Sequence, residues 1–265
     1  NWVFAASPRP AQPPPAATAP ELSAPPRPAT TTRVEFSEIL IEGGRITVNS
    51  PVLGRAETLE IERLDIRAGD PSAAMQVDGR LSFAGQPFAL RAETGHFLGL
   101  TGDRPWPYRV SVASALLEAQ VEGAMERAAA TQDWRGHLRA TIPSLAALQP
   151  VADALERGAR LPAARDVRVD ADIAVRGNRL IPRALTVTAS AVDLSALREG
   201  LSLGRVEFTA PAADQPIRLT AEGRLGETPL SLRGTLGTPA ATAPGAPAEP
   251  FSVDLAVQAA GALLT

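Results

Sequence analysis

A period of two in the apolar residues restricts this chain more than anything else in its sequence. Tyr108, Val110 and Val112 alternate with Arg109 and Ser111, and Phe88, Leu90 and Ala92 with Ala89 and Arg91. Leu185, Val187 and Ala189 alternate with Thr186, Thr188 and Ser190, and Ile217, Leu219 and Ala221 with Arg218, Thr220 and Glu222. The same rhythm runs through Leu230-Leu232-Gly234 and through Phe251-Val253-Leu255-Val257. Successive side chains of a β-strand point to opposite faces, so each run predicts a strand with one apolar and one wet face. Glu42-Gly43-Gly44-Arg45 and Phe83-Ala84-Gly85-Gln86 are expected as hairpin turns between such strands. The bulk of the chain therefore reads as an antiparallel meander.

Two kinds of segment depart from the rhythm. Leu145, Leu148, Val151 and Leu155 recur at helical spacing in an Ala-rich stretch, with Pro150 placed to kink or restart the helix and Gly158 to stop it. Residues 118–130 are a weaker helical option, and a strand followed by a turn is preferred there. The stretch from Ser7 to Thr32 is dense in proline, which lacks an amide donor and fixes φ. It predicts a semi-extended linker. A shorter proline-rich stretch, 238–250, is expected as a long loop between strands.

The chain also repeats itself. Val77-Asp78-Gly79-Arg80-Leu81, followed by Pro87-Phe88-Ala89-Leu90-Arg91, matches Ala221-Glu222-Gly223-Arg224-Leu225, followed by Pro229-Leu230-Ser231-Leu232-Arg233. Leu59 pairs with Leu203, Leu64 with Phe208 and Asp70 with Asp214 at the same offset, and Pro107–Val112 matches Pro250–Leu255 one residue out of step. Stacked strand repeats extend a sheet and do not close it, which favours an elongated object over a compact barrel.

Composition removes several functions. With 26 Lys plus Arg against 29 Asp plus Glu, and every cation an Arg, there is no basic excess for nucleic acid. No cysteine means no disulfide, thiolate metal site or Cys nucleophile. His96 and His137 are the two histidines, too few for a His-based zinc site or triad, and both read as solvent-facing. Asp65, Asp70 and Asp78 do not have calcium-loop spacing and read as loop and wet-face carboxylates. Asp170 and Asp172 share a strand face, yet no partner base is visible for acid–base work. Trp2 and Trp106 could stand at a sheet edge. No catalytic, cofactor-binding or metal-binding residues are expected. No apolar window is long enough to span a bilayer as a helix. The chain opens on Asn1 and ends on Leu263-Leu264-Thr265, as a piece of a longer protein is expected to do.

In order and spacing, Val34-Glu35-Phe36 through Ile46, Gly79 through Gly95, Trp106-Pro107 through Gly123, and Pro143–Leu148 with Leu161-Pro162 and Val167–Ile173 resemble the AsmA family of bacterial envelope proteins. The resemblance covers residues 33–265. It implies a periplasmic protein held in the inner membrane by an N-terminal helix not present in this sequence. The family is in turn similar to bridge-like lipid transfer proteins, whose repeated sheets curl into a long groove with an apolar floor. The implied role is phospholipid transport between inner and outer membranes, and so outer-membrane assembly, with acyl chains as ligand and no chemistry. The alternative is a structural factor for outer-membrane protein insertion that binds envelope proteins along its sheet edges. From alternation alone a two-sheet sandwich is favoured, with the same residues as its core. The repeat and the resemblance reverse that.

The fold expected is thus mainly β: an open, twisted antiparallel sheet forming an elongated groove from tandem repeats, with one or two short helices. Residues 1–32 are assigned to a strand end and the Pro-rich linker, 33–141 to a first repeat, 142–166 to a helical connector and 167–265 to a truncated second repeat. Candidate groove residues are Tyr108, Val110, Val112, Leu185, Val187, Ile217, Leu219, Leu230, Leu232, Val253 and Leu255. Few aromatics, at 4% of the chain, predict a smooth, shallow floor.

Overall fold

The computed structural model describes residues 37–264 apart from short stretches at 51–54, 71, 103, 127–132, 156–159, 177–178, 240–251 and 260–261. The Pro-rich segment 7–32 and most of 238–250 lie outside the described residues. Fourteen strands form one sheet in which spatial order is sequence order, β1-β2-β3 and so on to β14. In the first half β1 is Glu38–Ser50, β2 Arg55–Ala68, β3 Met75–Phe83, β4 Gln86–Thr94, β5 Trp106–Ala113, β6 Glu118–Met125 and β7 Trp134–Ser144. In the second half β8 is Ala163–Arg176, β9 Arg179–Asp193, β10 Leu201–Ala210, β11 Ile217–Leu225, β12 Thr228–Leu236, β13 Val253–Ala259 and β14 Ala262–Leu264. Every neighbouring pair is antiparallel. The sheet is open, and at a strand spacing of about 4.8 Å it extends about 60 Å from β1 to β14.

Each alternating run lies on a strand, and the turn at Phe83–Gln86 is a hairpin. Ala84 and Gly85 both take positive φ, at 51° and 74°, which gives the turn the twist that the flanking strands require. The other turn expected from the sequence does not form. Glu42–Arg45 lies within β1, where pairing to β2 passes from Glu42↔Arg63 to Gly44↔Ile61. Gly43, at φ +64°, and Glu62 opposite it are passed over together, so the β1–β2 register is unchanged while Ile39, Ile41 and Ile46 continue one apolar face against the same partner strand.

The connector between β7 and β8 holds a single 3₁₀ turn, Ala146–Leu148, and one short helix, α1, Gln149–Leu155. Pro150 falls in the first turn of α1, where its missing amide costs nothing, so it starts the helix. Ten β7–β8 partner pairs, from Trp134↔Val175 to Ser144↔Arg165, carry the ladder across this connector in one register, passing over Pro143 and Asp166. The repeat offset sets β2, β3 and β4 against β10, β11 and β12. Gly79 faces Leu64 and Leu90, whereas Gly223 faces Leu203, the counterpart of Leu59, and Leu230, the counterpart of Phe88, so the matching strands pair in different registers. The weaker helical option at 118–130 is a strand, β6, over its first eight residues.

Candidate functional site: an uncovered apolar face

Directly paired residues of an antiparallel ladder point to the same side, so the register sorts every side chain to one of two faces. One face is apolar across the sheet. Row by row it carries Ile46 and Leu59, then Leu64, Gly79, Leu90 and Val112, then Val121, Leu138 and Ala171. It continues through Leu185 and Val187, Val206 and Phe208, Leu219 and Ala221, Leu232 and Gly234, to Leu255 and Val257. All eleven candidate residues lie on it: Tyr108, Val110 and Val112 on β5, Leu185 and Val187 on β9, Ile217 and Leu219 on β11, Leu230 and Leu232 on β12, and Val253 and Leu255 on β13.

The other face is a ladder of opposite charges. Glu42 and Arg63 stand 3.1 Å apart, Arg45 and Glu60 3.3 Å, Arg109 and Glu122 3.2 Å, and Arg139 and Asp170 3.5 Å. Exposed pairs of this kind contribute little stability each. Their consequence is register: a one-residue slip would put the charges on the apolar side.

His137 is not the solvent-facing histidine expected from the sequence. Its ring sits between two carboxylates of β8, Nδ1 at 2.8 Å from Asp172 and Nε2 at 3.4 Å from Asp170, with its side chain 27% exposed. The partner that Asp170 and Asp172 lacked in sequence is therefore His137, 35 positions before Asp172 and brought opposite it by the β7–β8 register. Asp65 also departs from the expected wet-face carboxylate. It is 5% exposed and pairs with Arg67, two residues along on the same strand face. Among the described residues, no group of three or more His, Cys, Asp or Glu is arranged to hold a metal ion.

Among the described residues no second sheet lies over the apolar face, which sets this fold apart from a sandwich. Its side chains on β4 to β7, among them Leu90, Val110, Val121 and Leu138, are consequently only half-buried. Further along the face is packed. Ala164, Val167, Val192, Val206, Leu219 and Ala221 form a buried cluster, with Leu145 and Leu194 from the connections laid against it. Ile217 and Leu219, each 9% exposed, belong to this packed part, whereas Val253 is 56% exposed. The candidates thus divide into an open floor and a closed one, a distinction that alternation cannot carry.

Glycines on the apolar face show which way the sheet bends. A Cβ at Gly123 would overlap the carbonyl oxygen of Arg135 on β7; one at Gly223, that of Ser202; one at Gly234, that of Asp254. Neighbouring backbone approaches these three positions too closely for any side chain, on the apolar side of the sheet. The strands are drawn together on that side at these positions, and with no second layer among the described residues the open sheet fits a groove.

The floor is not smooth. Of the 3 tryptophans in the chain, Trp106 and Trp134 lie on it, together with the sole tyrosine, Tyr108, and one of the 2 methionines, Met125, all at one end of β5 to β7. The Tyr108 and Trp134 rings meet edge to face at 6.3 Å. Tyr108 lies across Gly136, its hydroxyl donating to the carbonyl of Arg135 at 3.1 Å, and burial pushes the phenol pKa up. Trp106 Nε1 donates to the carbonyl of His96 at 3.1 Å. The cross-strand grouping of these aromatics depends on register and has no signal in any local window.

Over the described residues the fold and site define a single open antiparallel sheet with one apolar and one charged face, an arrangement that fits a groove. No family model, curated protein or solved structure matches the chain.

Proposed function

We propose that this chain is a non-catalytic segment of an AsmA-like envelope protein that holds phospholipid acyl chains in its apolar trough and conducts them between inner and outer membranes. The observation that carries the reading is the apolar face, continuous from strand to strand, left open over β4 to β7 and backed by a charged one. A soluble sheet does not leave such a face half-exposed without something to cover it, since large contiguous apolar patches mark binding surfaces. Acyl chains suit it, because each buried CH₂ contributes about 0.8 kcal/mol and no directional contact is required. The open edge suits it too, because each added repeat lengthens the path. The sequence resemblance supplies the periplasmic location and the inner-membrane anchor outside this chain.

A second reading, protein binding along the sheet edge in outer-membrane assembly, is favoured by β1. Three of the exposed large apolar residues, Ile39, Leu40 and Ile46, lie on that outermost strand. Leu40 stands on the otherwise charged face, opposite Asp65.

The test is native mass spectrometry of the chain purified from bacterial membranes, with lipid extraction alongside. Leu90→Asp with Val110→Asp charges the open floor and spares the packed cluster at Leu219. Ser111→Asp puts the same charge on the opposite face of β5. Phospholipid bound to the parent and to Ser111→Asp, but lost from the double variant, is the expected result. A folded, lipid-free parent would overturn the lipid reading in favour of the edge-binding one.

A further inference from the structure

We infer that the aromatic group on β5 to β7 is a stop for acyl chains, and that it fixes the direction in which a glycerophospholipid lies across the trough. The inference rests on the lipid reading above and adds an orientation to it. Across these three strands the floor consists of four rows. From one lip to the other they are Val112, Ala119 and Ala140; Val110, Val121 and Leu138; Tyr108, Gly123 and Gly136; and Trp106, Met125 and Trp134. The first two rows are aliphatic and low. The third would be lowest, because two of its members are glycine, but Tyr108 fills it by reaching over Gly136. The fourth stands up as two indoles and a thioether.

Two of the three polar handles at this end, those of Tyr108 and Trp106, are satisfied inside the protein, Tyr108 Oη on Arg135 and Trp106 Nε1 on His96. Neither ring needs water or a lipid headgroup for its polar atom, which distinguishes a fixed wall from an interfacial anchor. The edge-to-face contact of Tyr108 with Trp134 ties β5 to β7 and holds the wall in one conformation.

Dimensions select the ligand and its direction. From Ala113, at the open lip, to Tyr108 is five residues, or about 17 Å of extended strand. One leaflet of a bilayer's hydrocarbon core is about 15 Å thick, half of about 30 Å. An acyl chain entering at the open lip therefore spends its length on the aliphatic rows and ends against Tyr108. Entering from the other end, it would meet the indoles at the lip itself. The glycerol and headgroup then lie at the lip formed by Ser114–Leu117 and the Ser144–Leu148 turn.

Two photoactivatable phospholipids test this with the full chain. They are identical except that one carries its diazirine at the acyl terminus and the other on the headgroup. Cross-linked peptides are mapped by mass spectrometry. The acyl-terminal probe is expected on residues 106–110, 121–125 and 134–138, and the headgroup probe on 113–118 and 141–148. Headgroup labelling at Trp106–Tyr108, or equal labelling of both lips by both probes, would overturn the orientation while leaving lipid binding in place. Labelling by neither probe would overturn both. Tyr108→Ala is expected to shift the co-purified lipids towards longer acyl chains. Tyr108→Phe, which keeps the ring and loses only the hydroxyl, is expected to leave the distribution unchanged. An unchanged distribution in a folded Tyr108→Ala protein would also refute the stop.

Discussion

Gly123→Ala adds one methyl group to the floor of the trough, yet it should be among the most damaging small substitutions in this chain. The added Cβ would overlap the carbonyl oxygen and carbon of Arg135 and the Cα of Gly136, all backbone atoms of β7. Backbone cannot rotate aside as a side chain can, so β6 and β7 must separate locally. Relief of such overpacking costs about 1–3 kcal/mol. Loss of one or two flanking ladder hydrogen bonds adds about 1 kcal/mol each. Against this, Ala is better than Gly inside a strand by roughly 0.5–1 kcal/mol. The net expectation is a destabilisation of about 2–4 kcal/mol. Gly79→Ala is the internal control. There the nearest atom to a Cβ is Leu64 Cδ1 at 3.0 Å, the far end of a flexible side chain, with Leu90 Cβ at 3.5 Å. A small shift of Leu64 accommodates the methyl group, and the change should lie within about 1 kcal/mol of zero. Urea unfolding followed by far-UV circular dichroism gives the ordering, and amide hydrogen exchange on β6 and β7 localises it. Equal stability of the two variants, or unchanged exchange on β6 and β7 in Gly123→Ala, would refute the claim that the sheet is pinched at this position.

Tyr108 makes stability depend on alkaline pH. Burial raises its pKa above the ordinary 10.0, so the folded state favours the neutral phenol, and the associated stability is full below pH 10 and lost as pH rises through the folded value. As the chain has 1 tyrosine, no lysine and no cysteine, phenolate absorbance should report this single group, and Tyr108→Phe should abolish the added pH dependence of unfolding in that range. Arg67→Ala leaves the buried Asp65 carboxylate without its cation and should cost about 3 kcal/mol by denaturant unfolding, with much of the loss restored by also changing Asp65→Asn. Leu219→Ala in the packed cluster should cost about 2–5 kcal/mol, while Val253→Ala, more than half exposed, should fall within about 0.5 kcal/mol of the parent.

Strand-forming runs and the placing of the eleven candidate residues on one face were legible from the sequence. Alternation is a local property, and the pleat of a strand converts it directly into a face. Val110 and Arg109 point apart whatever else the chain does. The internal repeat was legible for the same reason, as a pattern that survives in linear order. Glu42–Arg45 was misread because a glycine pair signals positive φ equally well for a turn and for an irregular position inside a strand. The decision went to β2, which pairs with both halves of β1 and so keeps it one strand.

Tertiary structure decided the rest, and in each case the cause is a contact between residues far apart in sequence. His137 became a residue held between two carboxylates because β7 and β8 pair in a particular register across the α1 connector. Leu219 and Val253 carry the same sequence signal, yet one is packed beneath the connections between strands and the other is open. Tyr108 joined Trp134 because Gly136 left space under its ring. The choice between sandwich core and open sheet turned on one further fact, that every strand among the described residues joined a single sheet and none of them was left to cover it. Alternation specifies which side of a strand is apolar. What lies over that side depends on where the whole chain goes.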